Sequence, residues 1–434
     1  MKEIHTSVAI LGAGSAGFAA AVALASAGVS VVLADHNPGP GGTSVFAGVN
    51  CWEPGVCTGT VHRLLADRLS RIPGASAVCR TVPNGELLFP GSGIMDFSRF
   101  PWGLSVPDPA ATYDDTLFRC RSLCGGNSDR WRRFQFEPGA MQSVMRDLLR
   151  LPSLTFLPET GFAGCRTDGR RVTGLVLRGK EDVSVTADRY IDASGDIVLA
   201  RGAGCETRVG AESRAEYGEP GAPESADDSR VNGASIVFRL RKAEPGHTDP
   251  YDGLVPPPAR AVSCFNLYPN GDINVNMLPT MPGGEFLRRT DAAEYGKELV
   301  RSYVHWLQTE KGLSGYALSE IFPMPGIRES FRLVGRRVLT ENDVRGGVIP
   351  PDSVAIADHA LDTHGESGCK EIETPYGIPV DCLRPKEFDN LFVACRGASF
   401  SHIAASSARL SRTMLSLGEG LAGWILAESF GVSK

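Results

Sequence analysis

The chain has 434 residues, of which 42% are apolar and 22% charged, and its formal net charge is −6. That length calls for about two or three domain-sized units with room for a large core. The composition excludes a disordered, collagen-like or coiled-coil chain, and the acidic balance leaves no basic footprint for nucleic acid or an anionic membrane.

The start, Met1 to His5, leads directly into the apolar run Val8 to Leu11, so no secretory signal is expected. Gly12-Ala13-Gly14-Ser15-Ala16-Gly17 follows, and an Ala-rich helix is predicted over Phe18 to Ala27. In a strand–turn–helix of this kind Gly12 allows the tight turn, Gly14 lets a pyrophosphate approach bare backbone, and Gly17 lets the helix pack on the strand. The helix N-terminus, at Ser15 and Ala16, then offers N–H groups and a positive dipole end to phosphate. Gly28 ends the helix, Val29 to Ala34 read as a second strand, and Asp35 follows with His36. Asp35 stands at about the 20-residue offset at which a carboxylate accepts hydrogen bonds from a ribose. Gly28, Gly14 and Gly17 also break up the apolar stretch from Ala16 to Ala34, so no membrane span is expected. A second flexible loop, Gly41-Gly42-Thr43, is expected to add backbone donors to the pyrophosphate.

The eleven cysteines lack CxxC pairs and ferredoxin spacing, which points to neither a disulfide framework nor a cluster, and to a reducing cytoplasm. Phe136 to Arg150 carries Met141, Val144, Met145 and Leu148 at helical spacing after Pro138. Leu154 to Leu157, Arg171 to Arg178 and Val183 to Ala187 read as strands around an Asp168-Gly169 turn. Ala211 to Arg230 is polar and acidic and reads as a flexible loop, and Pro256 to Pro258 as a rigid extended piece. Ser235 to Arg241, Val262 to Leu267 and Asp272 to Met277 suggest a sheet, Asp291 to Lys311 a helix, and Ser401 to Leu417 a further helix.

Residues 12–49, GAGSAGFAAAVALASAGVSVVLADHNPGPGGTSVFAGV, resemble the start of the FAD-dependent oxidoreductases of the glutathione-reductase structural superfamily. Tyr190-Ile191-Asp192-Ala193-Ser194-Gly195-Asp196 is similar to the return strand of that group. In the last third Gly326 to Ser330, Val338 to Val344, Asn390 to Arg396 and Ser401 to Arg409 recur in the order found in its "FAD-dependent oxidoreductase" family. The resemblance implies FAD as cofactor and a Rossmann-like α/β fold with a parallel sheet. Residues 80–135 and 206–325 carry most of the irregular, Pro/Gly-rich sequence and no second glycine fingerprint, so they are expected to form an α+β substrate or cap domain, with a discontinuous FAD domain from 1–75, 136–205 and 325–434. The resemblance further implies FAD contacts at Phe162 and Ala163 near the adenine, at Ala193, Ser194, Gly195 and Asp196, and at Arg396, Gly397, Ala404, Ala405 and Ser406. The sequence departs from the pattern at Cys395, Arg396 and Glu419. Ser44 stands where a disulfide reductase would carry its first cysteine, Cys51 and Cys57 are off the expected spacing, and no second glycine fingerprint for NAD(P)H follows.

The function expected is oxidation of a small polar organic substrate by hydride transfer to flavin N5, with electrons passed to oxygen, a quinone or a carrier protein. The alternative is a reductase of an activated C=C bond fed by an external donor, and a homo-oligomer is compatible with either. His402, at the start of the Ser401 helix, is the candidate acid or base, or else a structural residue bonded to backbone. Arg328 and Arg409 are candidate anion contacts, Arg328 otherwise pairing with Glu329. Tyr376, expected on a loop, is a weaker catalytic candidate. His359 and His364 flank Asp362 without a third fixed ligand, so no metal is expected.

Overall fold

The Lys2–Leu11 strand runs parallel to both Val31–Ala34 and Val183–Asp192, in the middle of a seven-stranded sheet. The computed structural model describes residues 1–82, 104–253, 255–256, 262–278, 280–364 and 369–430. Leu154–Leu157 extends the parallel set at one edge, Leu391–Val393 joins Val183–Asp192, and the antiparallel strands Arg171–Arg178 and Gly161–Asp168 complete the other edge.

Val8 to Leu11 and Val31 to Ala34 are continuous apolar runs because both faces of this parallel part of the sheet are covered, so successive side chains are all buried. The covering helix Ser15–Ser26 is almost all Ala, Val, Leu and Phe and is buried nearly all round. Phe18 and Leu24, each at 0% exposure, contribute about 1.5–3 kcal/mol apiece. Small residues let the C-terminal helix Ser411–Phe430 lie directly against it: a Cβ on Gly418 would overlap the Ala16 carbonyl.

A second, eight-stranded sheet has the order Tyr316–Ile321, Val237–Lys242, Ile273–Leu278, Val262–Leu267, Leu104–Pro107, Ser76–Val82, Arg133–Phe136, Cys51–Trp52. It is antiparallel except between Val262–Leu267 and Leu104–Pro107. Helix Ala292–Glu310 covers it through Leu299, Val300, Tyr303, Val304 and Leu307, making a separate core. Its strand Cys51–Trp52 comes from within residues 1–75, the stretch otherwise feeding the first sheet. The whole is an α/β fold with a Rossmann-like first sheet.

Two expectations need correction. Residues 401–417 form two helices, His402–Ala408 and the start of Ser411–Phe430, and the chain turns between them at Arg409 and Leu410. No glycine or proline marks that break, so periodicity alone runs through it. Ala211 to Arg230 is no loose loop. An Ala211–Asp227 bridge closes it, it contains the short helix Arg214–Tyr217, and its Glu212 and Glu219 are buried on partners from the C-terminal third. Of the extended piece at Pro256 to Pro258, the last two residues lie outside the described residues.

Candidate active site

Gly12 has φ +96 and its N–H donates to the Ala34 carbonyl, which folds the chain back after the first strand. Asp35, 5% exposed, accepts the Ala13 N–H at 2.5 Å on one oxygen and the Asn37 N–H at 2.8 Å on the other. The carboxylate thus ties the end of the second strand to the glycine turn. A Cβ on Gly17 would overlap the Gly12 carbonyl, so helix and turn meet at bare backbone. A Cβ on Gly14 would meet nothing within 4 Å; its outer side is open. The second loop passes close by, since a Cβ on Gly42 would stand 2.9 Å from the Gly14 Cα. Gly41 and Gly42 both have positive φ, +125 and +49.

From this turn a cleft of about 1510 Å³ runs between the two sheets. At its outer end lie Gly12, Gly14, Ser15, Ala16, Asp35, His36, Gly42, Thr43 and Phe162. His36 is mostly solvent-exposed, 3.6 Å from Asp35. Ala163, Gly17 and Gly41 do not line the cleft, and Ala163 points to solvent. In the middle lie Ala193, Ser194, Gly195, Asp196 and Arg396. Arg396 donates to Asp196 at 2.9 Å, and Ser330 donates to the same oxygen at 2.6 Å. Gly397 is packed behind, against Ile197 and the Phe331 carbonyl. Asp192, fully buried below this segment, is pushed up to about 6 by burial, partly offset by hydrogen bonds from Ser194 and Ala200.

The inner end is densely charged. Glu53 accepts Arg133 Nε at 3.0 Å, and Arg119 holds Glu371 with two nitrogens at 2.7 and 3.0 Å. Arg119 Nη1 also lies 2.9 Å from His359 Nε2, while His359 Nδ1 faces the Ala360 carbonyl at 2.9 Å. Nδ1 therefore carries the proton and Nε2 accepts from the guanidinium. Burial, then Arg119, holds His359 well below its ordinary value. Opposite stand Arg328, Arg409, Asp362 and His364. His364 has φ +42, a left-handed conformation that costs about 1–3 kcal/mol for a non-glycine residue, and its Nε2 lies 3.2 Å from Asp362 Oδ2. Burial, then Arg328 and Arg409, pushes its imidazole well below the ordinary value, so it is neutral near pH 7.

Sequence reasoning missed Asn50, Trp52, Asn274 and Asn276, which line the same end with buried polar atoms that have no protein partner. The signal was present in Ile273 to Met277: the two-residue alternation puts both asparagines on one strand face, opposite the apolar side chains. Arg119 and Arg133 carried no such local sign.

Several candidates sit elsewhere. His402 is buried outside the cleft, its Nδ1 2.8 Å from Glu329 Oε2, and it borders a separate small pocket with Gly221, Arg230, Glu341 and Ile403. The N–H groups at its helix start are taken: His402 N donates to Glu212, and Ala404 N to Ser401 Oγ, which itself bonds Glu219. Ala404, Ala405 and Ser406 are buried in the same helix and do not line the cleft. The residues that do open onto the cleft here are Arg409, Leu410, Ser411 and Arg412, at the start of the last helix. Tyr376 belongs to strand Tyr376–Pro379, not to a loop; it is fully buried and bonded to Ser407 at 2.7 Å. Arg328 does not pair with Glu329, whose carboxylate goes to Arg332 at 2.8 Å and to His402. Cys51 lines the cleft, Cys57 instead bonds Ser416, and all eleven cysteines are free. Among the described residues no cluster of His, Cys, Asp or Glu is arranged for a metal, and no helix is long and apolar enough to cross a membrane.

The open face of Gly14, the glycines crossing at Gly42 and the size of the cleft fit a dinucleotide cofactor. Among solved structures the chain resembles a geranylgeranyl bacteriochlorophyll reductase-like protein from Thermoplasma acidophilum, with 12% identity, TM-score 0.51, and 99% of this chain and 80% of that one covered. It also resembles p-nitrophenol 4-monooxygenase PnpA from Pseudomonas putida DLL-E4, with 14% identity, TM-score 0.48 and coverage of 100% and 82%. At 12% identity the first of these likenesses is one of fold. No curated protein sequence matches. The profile of the family described as "FAD dependent oxidoreductase" matches residues 7–428, nearly the whole chain. This protein therefore belongs to the FAD dependent oxidoreductase family and is a flavoenzyme with FAD as its cofactor.

Proposed function

We propose that this flavoenzyme oxidises a small polar organic molecule by hydride transfer, with residues 1–75, 136–205 and 325–434 holding FAD and 80–135 and 206–325 covering the substrate. Bound FAD supplies a two-electron acceptor for the hydrogen of a substrate C–H bond, taken with its electron pair at N5. The observation that carries the reading is the single continuous cleft joining the Gly12–Gly14 turn to a buried, charged inner end.

In this reading Gly12, Gly14, Ser15, Ala16, Gly42 and Thr43 take the pyrophosphate and Asp35 the adenosine ribose, with Phe162 at the adenine. Asp196 and Arg396 hold the middle of the cofactor. The start of the Ser411–Phe430 helix brings a positive dipole end to the inner cleft, where charge develops on reduction. His364, neutral and backed by Asp362, is placed to accept the substrate's O–H or N–H proton. Arg119, Arg328 and His359 are buried at this end, which strengthens the charge contacts they make.

Anaerobic mixing of the yellow holoenzyme with a library of small hydroxy acids, amines and sugar derivatives tests the proposal. Bleaching of the flavin band by one of these classes is the expected result. No bleaching, combined with reoxidation of dithionite-reduced enzyme by unsaturated acids, would overturn it in favour of a C=C reductase.

A further inference from the structure

Among the described residues, the buried and half-buried arginines differ in their partners. Arg332 is paired with Glu212 and Glu329, Arg119 with Glu371, Arg133 with Glu53, and Arg239 with Glu137 and Asp272. Arg328 and Arg409 have no carboxylate within ion-pair distance among the described residues. Arg328, 9% exposed, donates through Nη1 to the Gly233 carbonyl and to Ser235 Oγ, both at 2.8 Å. Arg409 donates through Nη2 to the Asp362 carbonyl at 3.3 Å, and its buried Nε has no partner. Both guanidiniums are thus bonded to neutral oxygens, and both residues line the cleft. Arg412, also bonded to neutral oxygens, differs because both of its terminal nitrogens are occupied, by Thr116 and by the Glu53 carbonyl.

The local charge does not balance. Glu53 is committed to Arg133 and Glu371 to Arg119, while Asp362, beside the neutral His364, is one carboxylate facing the charge of both Arg328 and Arg409 without an ion pair to either. Burial, and next the charge of Arg409, pushes Arg328 well below the usual guanidinium value. A guanidinium keeps its proton in proteins, so this push registers as uncompensated buried charge rather than as deprotonation. Two such cations against the one carboxylate of Asp362 leave a buried positive charge uncompensated, and a bound anion removes that cost. A planar fork pair matches a planar two-oxygen anion better than a tetrahedral one. His364 alongside is neutral and does not compete for the anion.

We infer that Arg328 and Arg409 form a carboxylate-binding subsite, so that the substrate is an organic acid gripped at the inner end of the cleft. This deepens the proposed oxidation reaction, on which it rests only for calling the ligand a substrate. The oxygens of the acid take the free guanidinium donors, while Asn274 and Asn276, with unpartnered buried oxygens, accept donors from the rest of the molecule.

The test is equilibrium binding of acetate, oxalate and benzoate to the oxidised holoenzyme, read by calorimetry and by the shift of the flavin absorption bands. Acetamide, benzamide and sulfate serve as comparisons. None of these is turned over, so the outcome is independent of whether any oxidation substrate has been found. At least one carboxylate is expected to bind saturably and at least tenfold more tightly than its amide and than sulfate. Arg328→Gln and Arg409→Gln should each weaken it by about 10- to 100-fold, the range for a lost charged hydrogen bond. Arg328→Lys and Arg409→Lys, which keep the charge and spare the fold, should also weaken it through loss of the fork. Equal affinity for sulfate would reduce the site to a general anion site and overturn the inference. So would Lys variants that lose FAD or shift its potential while carboxylate binding is unchanged, since the pair would then serve the flavin itself.

Discussion

A Cβ on Gly17 would overlap the carbonyl oxygen of Gly12, whereas a Cβ on Gly14, between them in the same turn, would meet no atom within 4 Å. The glycines are therefore required for different reasons, Gly17 by the fold and Gly14 by what enters the cleft. Gly14→Val should fold with nearly the wild-type thermal midpoint yet purify mostly colourless. Gly17→Val should fail to reach the native fold, because backbone cannot give way as a side chain can. Circular dichroism and flavin absorbance together check the pair, and full yellow colour in Gly14→Val would remove the turn from the cofactor site.

Neither NADH nor NADPH should reduce the bound flavin rapidly. Among the described residues one glycine turn between parallel strands opens on the cleft, and FAD takes it. Anaerobic stopped-flow absorbance decides the matter: fast, saturable bleaching by either nucleotide would show a second nucleotide site.

His402 and Glu329 form a buried pair 2.8 Å apart, outside the cleft. His402→Ala should lower stability by up to about 3–5 kcal/mol, the cost of stranding a buried charge, with Arg332 softening the loss. Flavin reduction per bound FAD should stay near wild type. A loss of about 10²- to 10⁴-fold in that rate at unchanged stability would instead make His402 an acid or base at the flavin. The sign with pH follows from Glu329. Burial pushes its carboxyl up, but His402 and Arg332 together hold it below the ordinary value. Its pairing therefore stabilises the fold above the unfolded carboxylate value of 4.5 and is lost as pH falls through the depressed one. Glu329→Gln should be less stable than wild type at neutral pH and converge with it in acid, as denaturant midpoints would record.

Asp192 should behave in the opposite sense. Burial raises it from 3.8 to about 6, so its contribution is fully present below 3.8 and is lost as pH rises through about 6. Asp192→Asn should flatten that part of the pH–stability curve, whatever its absolute level. A profile with unchanged slope between about pH 4 and 6 would mean that another group titrates there.

What the sequence determined by itself is local. The glycine turn, the Ala-rich helix and Asp35 are legible because a strand–turn–helix makes its demands on neighbouring residues, and alternation within Leu154–Leu157 and Arg171–Arg178 marks those strands residue for residue. The two-residue strand Cys51–Trp52 is too short to carry a period, and it and Leu104–Pro107 exist through their sheet partners. The inner site depends still more on the whole. His402 and Arg409 lie seven residues apart on what reads as one helix, yet they serve different cavities. The turn at Arg409–Leu410 and the carboxylates of Glu212 and Glu219, from about 190 residues earlier, decide this. Whether a buried cation is paired or left open to a ligand is a property of its neighbours in space, and only tertiary packing gave Arg332 its carboxylates and left Arg328 and Arg409 without an ion pair among the described residues.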